Sequence, residues 1–344
     1  MVVDSSAVRA QVTKAEWYLA LAEFERPRLG KAIGQMLSSF LPYLAIWALM
    51  VWMFYAGFPY WIIFMAQVVA AAFLVRIFII FHDCVHHSFF ASRQANRILG
   101  YLIGVLTYMP YESWQHSHNV HHNTYADLDF RGVGDVKTMT VDEYLAAPWG
   151  KRLTYWLYRN PFVLFGLGPA FLFLISERFP IHGSGKRESR SVHVINLAIF
   201  TIIAIAAWCG VARVYLLLQL PIAVIAGTFG VWLFYVQHQF EGVYWSRHEQ
   251  WDPLRAALEG SSYYKLPKVL QWFSGNIGIH HVHHVRQRIP NYNLQACLDA
   301  SPVLQAVKPL SLRGSLKSLL LNLWDEKEQR LVSFRSVRRR RAAA

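Results

Sequence analysis

Four long apolar runs dominate the chain, at residues 34–56, 58–81, 192–210 and 214–237. Each is long enough for an α-helix to cross the hydrocarbon core of a bilayer, which takes about 20 residues. The runs occur in two pairs, and a short turn joins the members of each pair. The pattern therefore predicts an all-α integral membrane protein whose four transmembrane helices form two hairpins.

Some segments of this pattern need a separate interpretation. Arg76 lies inside the second run. An intramembrane charge can indicate a functional site, but we favour an arginine that extends its side chain to the membrane interface. Residues 99–109 and 162–177 are short or interrupted by glycine and proline, and we expect each to form an interfacial or re-entrant helix. The basic tail at 335–344 is expected to be a disordered end.

Lysine and arginine are distributed unevenly around the runs. They are frequent before the first pair, between the pairs and after the second pair, whereas the turns inside the pairs carry only Arg213. By the positive-inside rule, both termini, the central segment and the histidine clusters described below are predicted to be cytoplasmic. Residues 1–30 lack the apolar core of a signal peptide, so the first run is expected to direct insertion.

The composition agrees with this interpretation. Hydrophobic residues make up 54% of the chain and charged residues 16%, against about 25% charged residues in typical soluble domains. The net charge of +13, beside long apolar runs, favours an anionic membrane surface over nucleic acid as a partner. The three cysteines form neither a disulfide framework nor a CxxC metal pair. Cys84 follows His82 by two positions and would point about 200° away from it around a helix.

Histidines recur at helical spacing near the ends of the apolar runs. The first cluster places two histidines four residues apart, and two later clusters both read H-x-x-H-H. Positions i, i+3 and i+4 share one face of a helix, so each cluster can direct two or three imidazoles at a common point. A lone histidine is usually structural, but this repetition predicts metal binding, and nine ligands imply two ions. The nine candidates are His82, His86, His118, His121, His122, His238, His280, His283 and His284.

The remaining histidines lie off these shared faces or apart from the clusters. We interpret His87, His116 and His281 as supporting or surface residues, and His182, His193 and His248 as ordinary surface or interface residues. Carboxylates near the clusters are available to accept the free imidazole N–H groups. These are Asp83, Asp127, Asp129 and Glu241. Asp127 and Asp129 are equally consistent with loop or capping roles.

The ligand set restricts the choice of metal. No carboxylate occupies the repeated positions, so the di-iron arrangement of soluble helical bundles does not apply. Zinc fits imidazole but has no redox chemistry, whereas two irons can use O2 to oxidise an unactivated C–H bond. Aromatic residues near the clusters either wall a channel for an acyl chain or form an interfacial belt. They are Trp114, Tyr125, Phe130, Tyr235, Tyr244, Trp245, Trp272 and Phe273.

The words HDCVHH, HNVHH and HHVHH, at residues 82–87, 118–122 and 280–284, resemble the three histidine boxes of the membrane fatty acid desaturases. The resemblance covers about residues 30–310 of what we expect to be one domain spanning 1–344. The segment WLFYVQHQFEGVYW at 232–245 is similar to the one that carries a further iron ligand in bacterial and cyanobacterial acyl-lipid desaturases, and it assigns that role to His238. RGVGDVKTMTVDEY, YRNPFVLFGLGP and RIPNYNL also look like the delta-12 or omega-6 branch. Val85 departs from the glycine common there.

The resemblance implies a cytoplasmic helical cap that holds a di-iron site with the nine histidines as ligands, in a bacterial inner membrane. It implies an O2-dependent enzyme that introduces a cis double bond into a lipid-linked or carrier-linked acyl chain. No HPGG haem motif is present, so the electrons are expected from a separate carrier. Ferredoxin or flavodoxin is favoured over cytochrome b5, and the basic cytoplasmic face suits an acidic carrier.

Two alternatives stand beside desaturation. An alkane or carotenoid hydroxylase or ketolase would use the same metal ligands, and only its substrate channel and product would differ. A metal transporter would need polar residues along the spanning helices, whereas these helices are nearly bare of them.

Overall fold

The computed structural model describes residues 14–343, and Arg9 of the basic N-terminal segment lies outside that range. Helices account for most of the described chain. The helices are α1 (Lys14–Ala20), α2 (Leu29–Tyr55), α3 (Tyr60–Val85), α4 (Arg93–Thr107), α5 (Tyr111–Thr124), α6 (Val141–Ala146), α7 (Trp149–Tyr158), α8 (Gly168–Leu174), α9 (Lys186–Trp208), α10 (Ala212–His238), α11 (Pro253–Glu259), α12 (Lys268–Phe273), α13 (His280–Val285), α14 (Asn291–Ala300), α15 (Pro302–Gln305), α16 (Leu312–Ser315) and α17 (Phe334–Ala343). Single turns of 3-10 helix occupy Leu21–Glu25, Ser176–Arg178, His248–Gln250 and Leu316–Leu320, and a π-helical turn occupies Val163–Leu167.

Five short strands occur between residues 14 and 343, all outside the long apolar segments. They are β1 (Met139–Thr140), β2 (Tyr263–Lys265), β3 (Pro309–Ser311), β4 (Leu323–Asp325) and β5 (Arg330–Val332). One sheet has the order β1-β4-β5, with β4 parallel to β1 and antiparallel to β5. The other pairs β2 and β3 in parallel. Each sheet thus joins the C-terminal segment to a strand that precedes it by more than 40 residues.

Four helices of the described chain, α2, α3, α9 and α10, are long and apolar enough to cross a membrane. This confirms the predicted fold class of four membrane-capable helices, although the helices extend beyond the predicted apolar runs. Helix α9, the third of these four along the chain, begins at Lys186, six residues before the predicted run at 192–210. Exposed apolar side chains cover the outer faces, and Trp208 is 92% exposed. Such faces suit contact with lipid rather than water.

The two shorter apolar stretches form helices of different kinds. Residues 99–107 of the first stretch belong to α4. This helix begins where the Ser92 side chain accepts a hydrogen bond from the backbone N–H of Ala95, and Tyr108, with a φ of 60°, follows its last residue. Residues 162–177 include the π-helical turn and α8. Together with α7 they make a helix pair bent by 62°, which is either a broken span or a re-entrant loop.

Helix α3 is the centre of the apolar core. It packs against α2, α4 and α10, and its second half is buried almost continuously. Polar contacts also tie the two hairpins together within the membrane helices. Gln219 of α10 accepts hydrogen bonds from the Tyr43 hydroxyl at 3.0 Å and from the Trp47 indole at 3.1 Å.

A proline inside α10 explains another of these contacts. Pro221 has no N–H, so the carbonyl of Leu217, four residues earlier, lacks its helical partner. The Gln67 side chain donates to that carbonyl at 2.8 Å, and the Tyr60 hydroxyl donates to it at 3.0 Å. Backbone groups within a bilayer must find partners inside the protein. Side chains of the first hairpin therefore supply hydrogen-bond donors in place of the N–H that Pro221 removes from the second hairpin.

Arg76 lies further from the end of its helix than the apolar run indicated, and protein groups cover its side chain. Helix α3 continues to Val85, so Arg76 lies more than two turns before its end. The side chain is only 8% exposed. Its Nε donates to the Ser39 hydroxyl at 3.1 Å, a terminal nitrogen donates to the Trp272 carbonyl, and the guanidinium lies 3.8 Å from the Trp272 ring centroid.

The basic tail is also more ordered than predicted. Residues Phe334–Ala343 form α17, and the final residue lies outside the described range. Arg340 pairs with Asp325 of β4 at 2.7 Å and with Glu328 at 2.9 Å. The carboxylates of the β4–β5 hairpin thus hold the helix against the sheet.

The contact with Leu217 gives a test of how the hairpins are joined. Gln67→Leu should lower the free energy of unfolding by about 1 kcal/mol, the order measured for hydrogen bonds within membrane proteins. In a Pro221→Ala background the same change should cost less, because residue 221 then supplies an N–H to Leu217. Thermal unfolding of the four proteins in detergent measures this coupling. An equal cost in both backgrounds would contradict the assignment.

Candidate metal centre

Four elements bring the clustered histidines together. His82 lies in the last turn of α3, and His86 follows directly after the end of that helix. Helix α5 carries the second cluster and α13 the third, while His238 is the last residue of α10. The site is therefore built where membrane helices end and shorter helices pack against those ends.

Hydrogen bonds between elements fix the position of α5. The last carbonyls of a helix have no partner within it. The Tyr111 hydroxyl donates to the carbonyl of Cys84 at 2.8 Å, and the Gln115 side chain donates to that of Val85 at 2.7 Å. Both donors belong to α5, so the open end of α3 orients the helix that carries His118.

The nine candidate histidines form two buried groups. The first contains His82, His86, His118, His122 and His283, and the second contains His121, His238, His280 and His284. In each group, the ring nitrogens that face one another all lie within 4.8 Å. The groups are adjacent, since the rings of His122 and His284 have centroids 4.3 Å apart.

The two H-x-x-H-H clusters divide between the groups, which differs from the prediction that each converges on a common point. Positions i and i+4 differ by about 40° around a helix, whereas i+3 lies about 60° to the other side. Accordingly, His118 and His122 enter the first group while His121 enters the second. In α13 the i, i+4 pair enters the second group and His283 enters the first. Each helix thus contributes to both groups.

The spacing of the nitrogens fits metal coordination. In the first group, Nε2 of His122 lies 3.2 Å from that of His118 and 3.0 Å from that of His283. In the second group, Nε2 of His238 lies 3.1 Å from that of His121 and 3.0 Å from that of His280. Two nitrogens bound to one ion at about 2.1 Å, at right angles, would be about 3.0 Å apart.

Six histidines of the two groups lie outside the membrane helices and have lowered pKa values. Burial lowers the pKa of each well below its ordinary value, and the neighbouring imidazoles lower it further. This holds for His86, His118, His122, His280, His283 and His284. A neutral imidazole carries a lone pair on one ring nitrogen, which is the form that binds metals. Nε2 of His82 and of His86 is buried without a hydrogen-bond partner among the described residues.

Two carboxylates orient histidines from behind. Asp83 lies 3.3 Å from Nδ1 of His82, and its other oxygen accepts hydrogen bonds from the backbone and side chain of Asn291, each at 2.7 Å. Asp135 contacts Nδ1 of His121. A carboxylate that accepts the Nδ1–H leaves the lone pair on Nε2, which faces the group.

The other acidic residues suggested by the sequence pair elsewhere. Asp127 contacts His248 at 2.7 Å, Asp129 contacts Arg247 at 2.7 Å, and Glu241 contacts Lys317 at 3.0 Å. Asp127 also accepts from the backbone N–H of Asp129, so the loop interpretation fits this residue.

Sequence reasoning missed Asp135, which follows His121 by 14 residues. The signal that marks it is Gly134, which has a φ of +70°. A Cβ at this position would lie 2.6 Å from the carbonyl oxygen of Ser117 and 3.1 Å from Cβ of His121. Only glycine lets the loop approach α5 this closely in that conformation. The close approach places the Asp135 carboxylate behind His121.

Aromatic side chains enclose the groups. Trp114 stacks on His118 with centroids 4.2 Å apart and an angle of 13° between the rings. Tyr125 lies 4.2 Å from His284, and Phe234 lies 5.2 Å from His121. Trp272 and Phe273 instead pack on Phe73 of α3. Only part of the aromatic set suggested by the sequence thus borders the histidines.

The remaining histidines and Cys84 stay outside both groups. His281 is buried, and its Nε2 contacts the Leu304 carbonyl at 3.1 Å. Burial lowers its pKa to about 4. His87 has a φ of 54° and lies 3.3 Å from Gln115. The exposed histidines are His116, His182, His193 and His248.

Comparison with known proteins agrees with this arrangement. The family model described as "Fatty acid desaturase" matches residues 58–305. A fatty acid desaturase of Bacillus subtilis (strain 168) is 46% identical over 92% of this chain and 90% of its own length. An sn-1 oleoyl-lipid 12-desaturase of Synechocystis is 25% identical over 64% of this chain and 63% of its own. An oleoyl-12-hydroxylase of Ricinus communis is 28% identical over 69% and 63%.

The match over most of the chain, the four membrane-capable helices and the histidine groups lead to one conclusion. The chain belongs to the fatty acid desaturase family and is a membrane oxidoreductase.

Proposed function

We propose that this desaturase introduces a cis double bond into a lipid-linked acyl chain by means of two iron ions. The observation that supports this most strongly is the pair of buried, carboxylate-free imidazole groups. His82, His86, His118, His122 and His283 would hold one ion, and His121, His238, His280 and His284 the other. When bound, the irons supply O2 activation strong enough to oxidise an unactivated C–H bond.

The protein's own residues preserve this arrangement. Asp83 and Asp135 fix the ring orientations of His82 and His121. Trp114, Tyr125 and Phe234 cover the imidazoles with apolar surface, which excludes water from the site. Exclusion of water protects a reactive oxidant from side reactions.

The proposed reaction consumes external electrons. Removal of one hydrogen from each of two adjacent carbons, with O2, two electrons and two protons, yields the alkene and two molecules of water. We propose ferredoxin or flavodoxin as the electron donor, because the chain carries a net charge of +13 and opposite charges steer association. We also propose that the histidine groups and both termini face the cytoplasm, as the distribution of Lys and Arg indicates.

The names of several relatives support delta-12 regioselectivity. The Synechocystis relative is an oleoyl-lipid 12-desaturase, and a relative from Vernicia fordii, 27% identical, is a delta(12)-fatty-acid desaturase. The hydroxylase from Ricinus communis keeps hydroxylation as the second candidate. The two reactions share the first hydrogen abstraction and differ in the fate of the resulting carbon radical.

Removal of one ligand should weaken one metal position. His118→Ala should lower bound iron below about two ions per chain, and it should abolish product, because it removes one of the five imidazoles of the first group. Iron analysis of the purified protein measures the first effect. His116→Ala is the matched control, since this residue lies on the same helix but is exposed. Equal losses in the two variants would contradict the ligand assignment.

Removal of the Asp135 charge behind His121 should weaken metal binding by the second group. Asp135→Asn should reduce iron affinity or activity by about 10- to 100-fold, the usual effect of losing a carboxylate partner of a ligating histidine. Asp129→Asn serves as the control, because Asp129 pairs with Arg247. Iron titration of both variants tests this, and an unchanged affinity in Asp135→Asn would refute the role.

The product decides between the two reactions. Expression in a host rich in oleate, with ferredoxin supplied, should yield a C18 diene with a new cis double bond at carbon 12. Gas chromatography with mass spectrometry reports the position directly, and the His118→Ala strain gives the background. A hydroxylated chain would establish the second candidate instead, and a diene with its new bond elsewhere would contradict the delta-12 assignment.

A further inference from the structure

We propose that a cavity between α2, α3 and α12 binds the phosphate group of a membrane phospholipid. The cavity has a volume of about 410 Å³, and Lys31, Arg76 and Lys268 line it. None of the described residues that line it is acidic. A concave site with three converging cations and no carboxylate suits an anion.

The cations lack the carboxylate partners that would neutralise them. The ammonium of Lys31 donates to the side-chain oxygen of Asn293 at 3.0 Å and to the carbonyl of Tyr292 at 3.4 Å. Lys31, Arg76 and Lys268 form no ion pair with any residue of the described chain. A phosphate group would supply the missing negative charge.

Arg76 is held so that it can present a donor to the cavity. Ser39 accepts from its Nε, and the Trp272 carbonyl accepts from one terminal nitrogen. The other terminal nitrogen has no partner among the described residues. The Trp272 ring stacks on the guanidinium and keeps it in place. An arginine fixed in this way is suited to bind a phosphate oxygen.

The cavity lies at the depth of a lipid headgroup. Helix α2 has 27 residues, so it is about 40 Å long, whereas the hydrocarbon core is about 30 Å thick. If the end at Tyr55 marks the far boundary of the core, the near boundary falls close to Gln35. Gln35 lines the cavity, with Lys31 outside that boundary and Arg76 just within it.

The helices that form the cavity also carry exposed apolar side chains. Leu37 and Leu41 of α2 are 52% and 59% exposed, and Val269 and Leu270 of α12 are 67% and 44% exposed. Such side chains suit contact with the acyl chains of a phospholipid whose headgroup occupies the cavity. The surroundings therefore favour a lipid phosphate over a free one.

A chain of amides connects the cavity to the histidines. Gln35 donates to the side-chain oxygen of Asn291 at 2.9 Å, and Asn291 donates to Asp83 beside His82. The side-chain oxygen of Gln35 is buried without a partner in the described chain. The proposed lipid site thus adjoins the proposed metal centre.

Native mass spectrometry of the detergent-purified protein tests the proposal. With dioleoyl phosphatidylglycerol, the wild-type protein should retain one tightly bound lipid. The double variant Lys31→Gln, Lys268→Gln should bind this lipid at least about tenfold more weakly, because each lysine near an anionic headgroup attracts it. The matched control is Lys308→Gln, Lys327→Gln, which removes the same charge from two exposed positions away from the cavity. Its binding should equal that of the wild type.

Two further ligands separate the possible sources of the phosphate. Dioleoylglycerol has the same acyl chains without phosphate and should not be retained, and inorganic phosphate at millimolar concentration should not displace the phospholipid. Equal binding to both double variants, or equal retention of dioleoylglycerol, would overturn the proposal. Displacement by inorganic phosphate would also overturn it by showing a site for soluble anions. The experiment reads binding, so its failure would leave the proposed reaction untouched.

Discussion

The structure depends on the close packing of nine imidazoles beside the ends of membrane helices. Neighbouring Nε2 atoms about 3 Å apart compete for the same few protons, because a neutral imidazole has one donor and one acceptor. Such a cluster buries many polar atoms that cannot all be satisfied by one another, which is costly. A metal ion would use the lone pairs of a whole group at once. The crowded imidazoles that destabilise the metal-free protein thus make each group a good metal site.

The rest of the fold positions these imidazoles. Helix α3 carries the first pair, and its open carbonyls orient α5 through Tyr111 and Gln115. The end of α10 that carries His238 is joined to the segment before the third cluster, because the Gln237 side chain donates to the Ile277 carbonyl at 2.9 Å. Hydrogen bonds from the first hairpin to the second, such as that of Gln67 to Leu217, keep α3 and α10 in register. Each contact spans two elements that carry the grouped histidines or support them.

The sequence allowed prediction of the elements with strong local patterns. Apolar runs predicted the four membrane helices. The helical spacing of the histidine clusters, together with His238 at the end of the fourth run, selected the nine histidines that the structure brings together. The sequence did not reveal how each histidine cluster divides between the two groups, because that depends on where neighbouring helices lie. Asp135 escaped because a loop with a left-handed glycine brings it to His121. The sequence also did not show that α3 continues past the apolar run, or that Trp272 from a distant segment covers the charge of Arg76.

The most direct test of the account is anomalous diffraction at the iron absorption edge from crystals of the iron-loaded protein. Two peaks are expected, one among His82, His86, His118, His122 and His283, and one among His121, His238, His280 and His284. Two such peaks would establish that each H-x-x-H-H helix supplies ligands to both ions. A single peak, or a peak outside the two groups, would contradict the central claim.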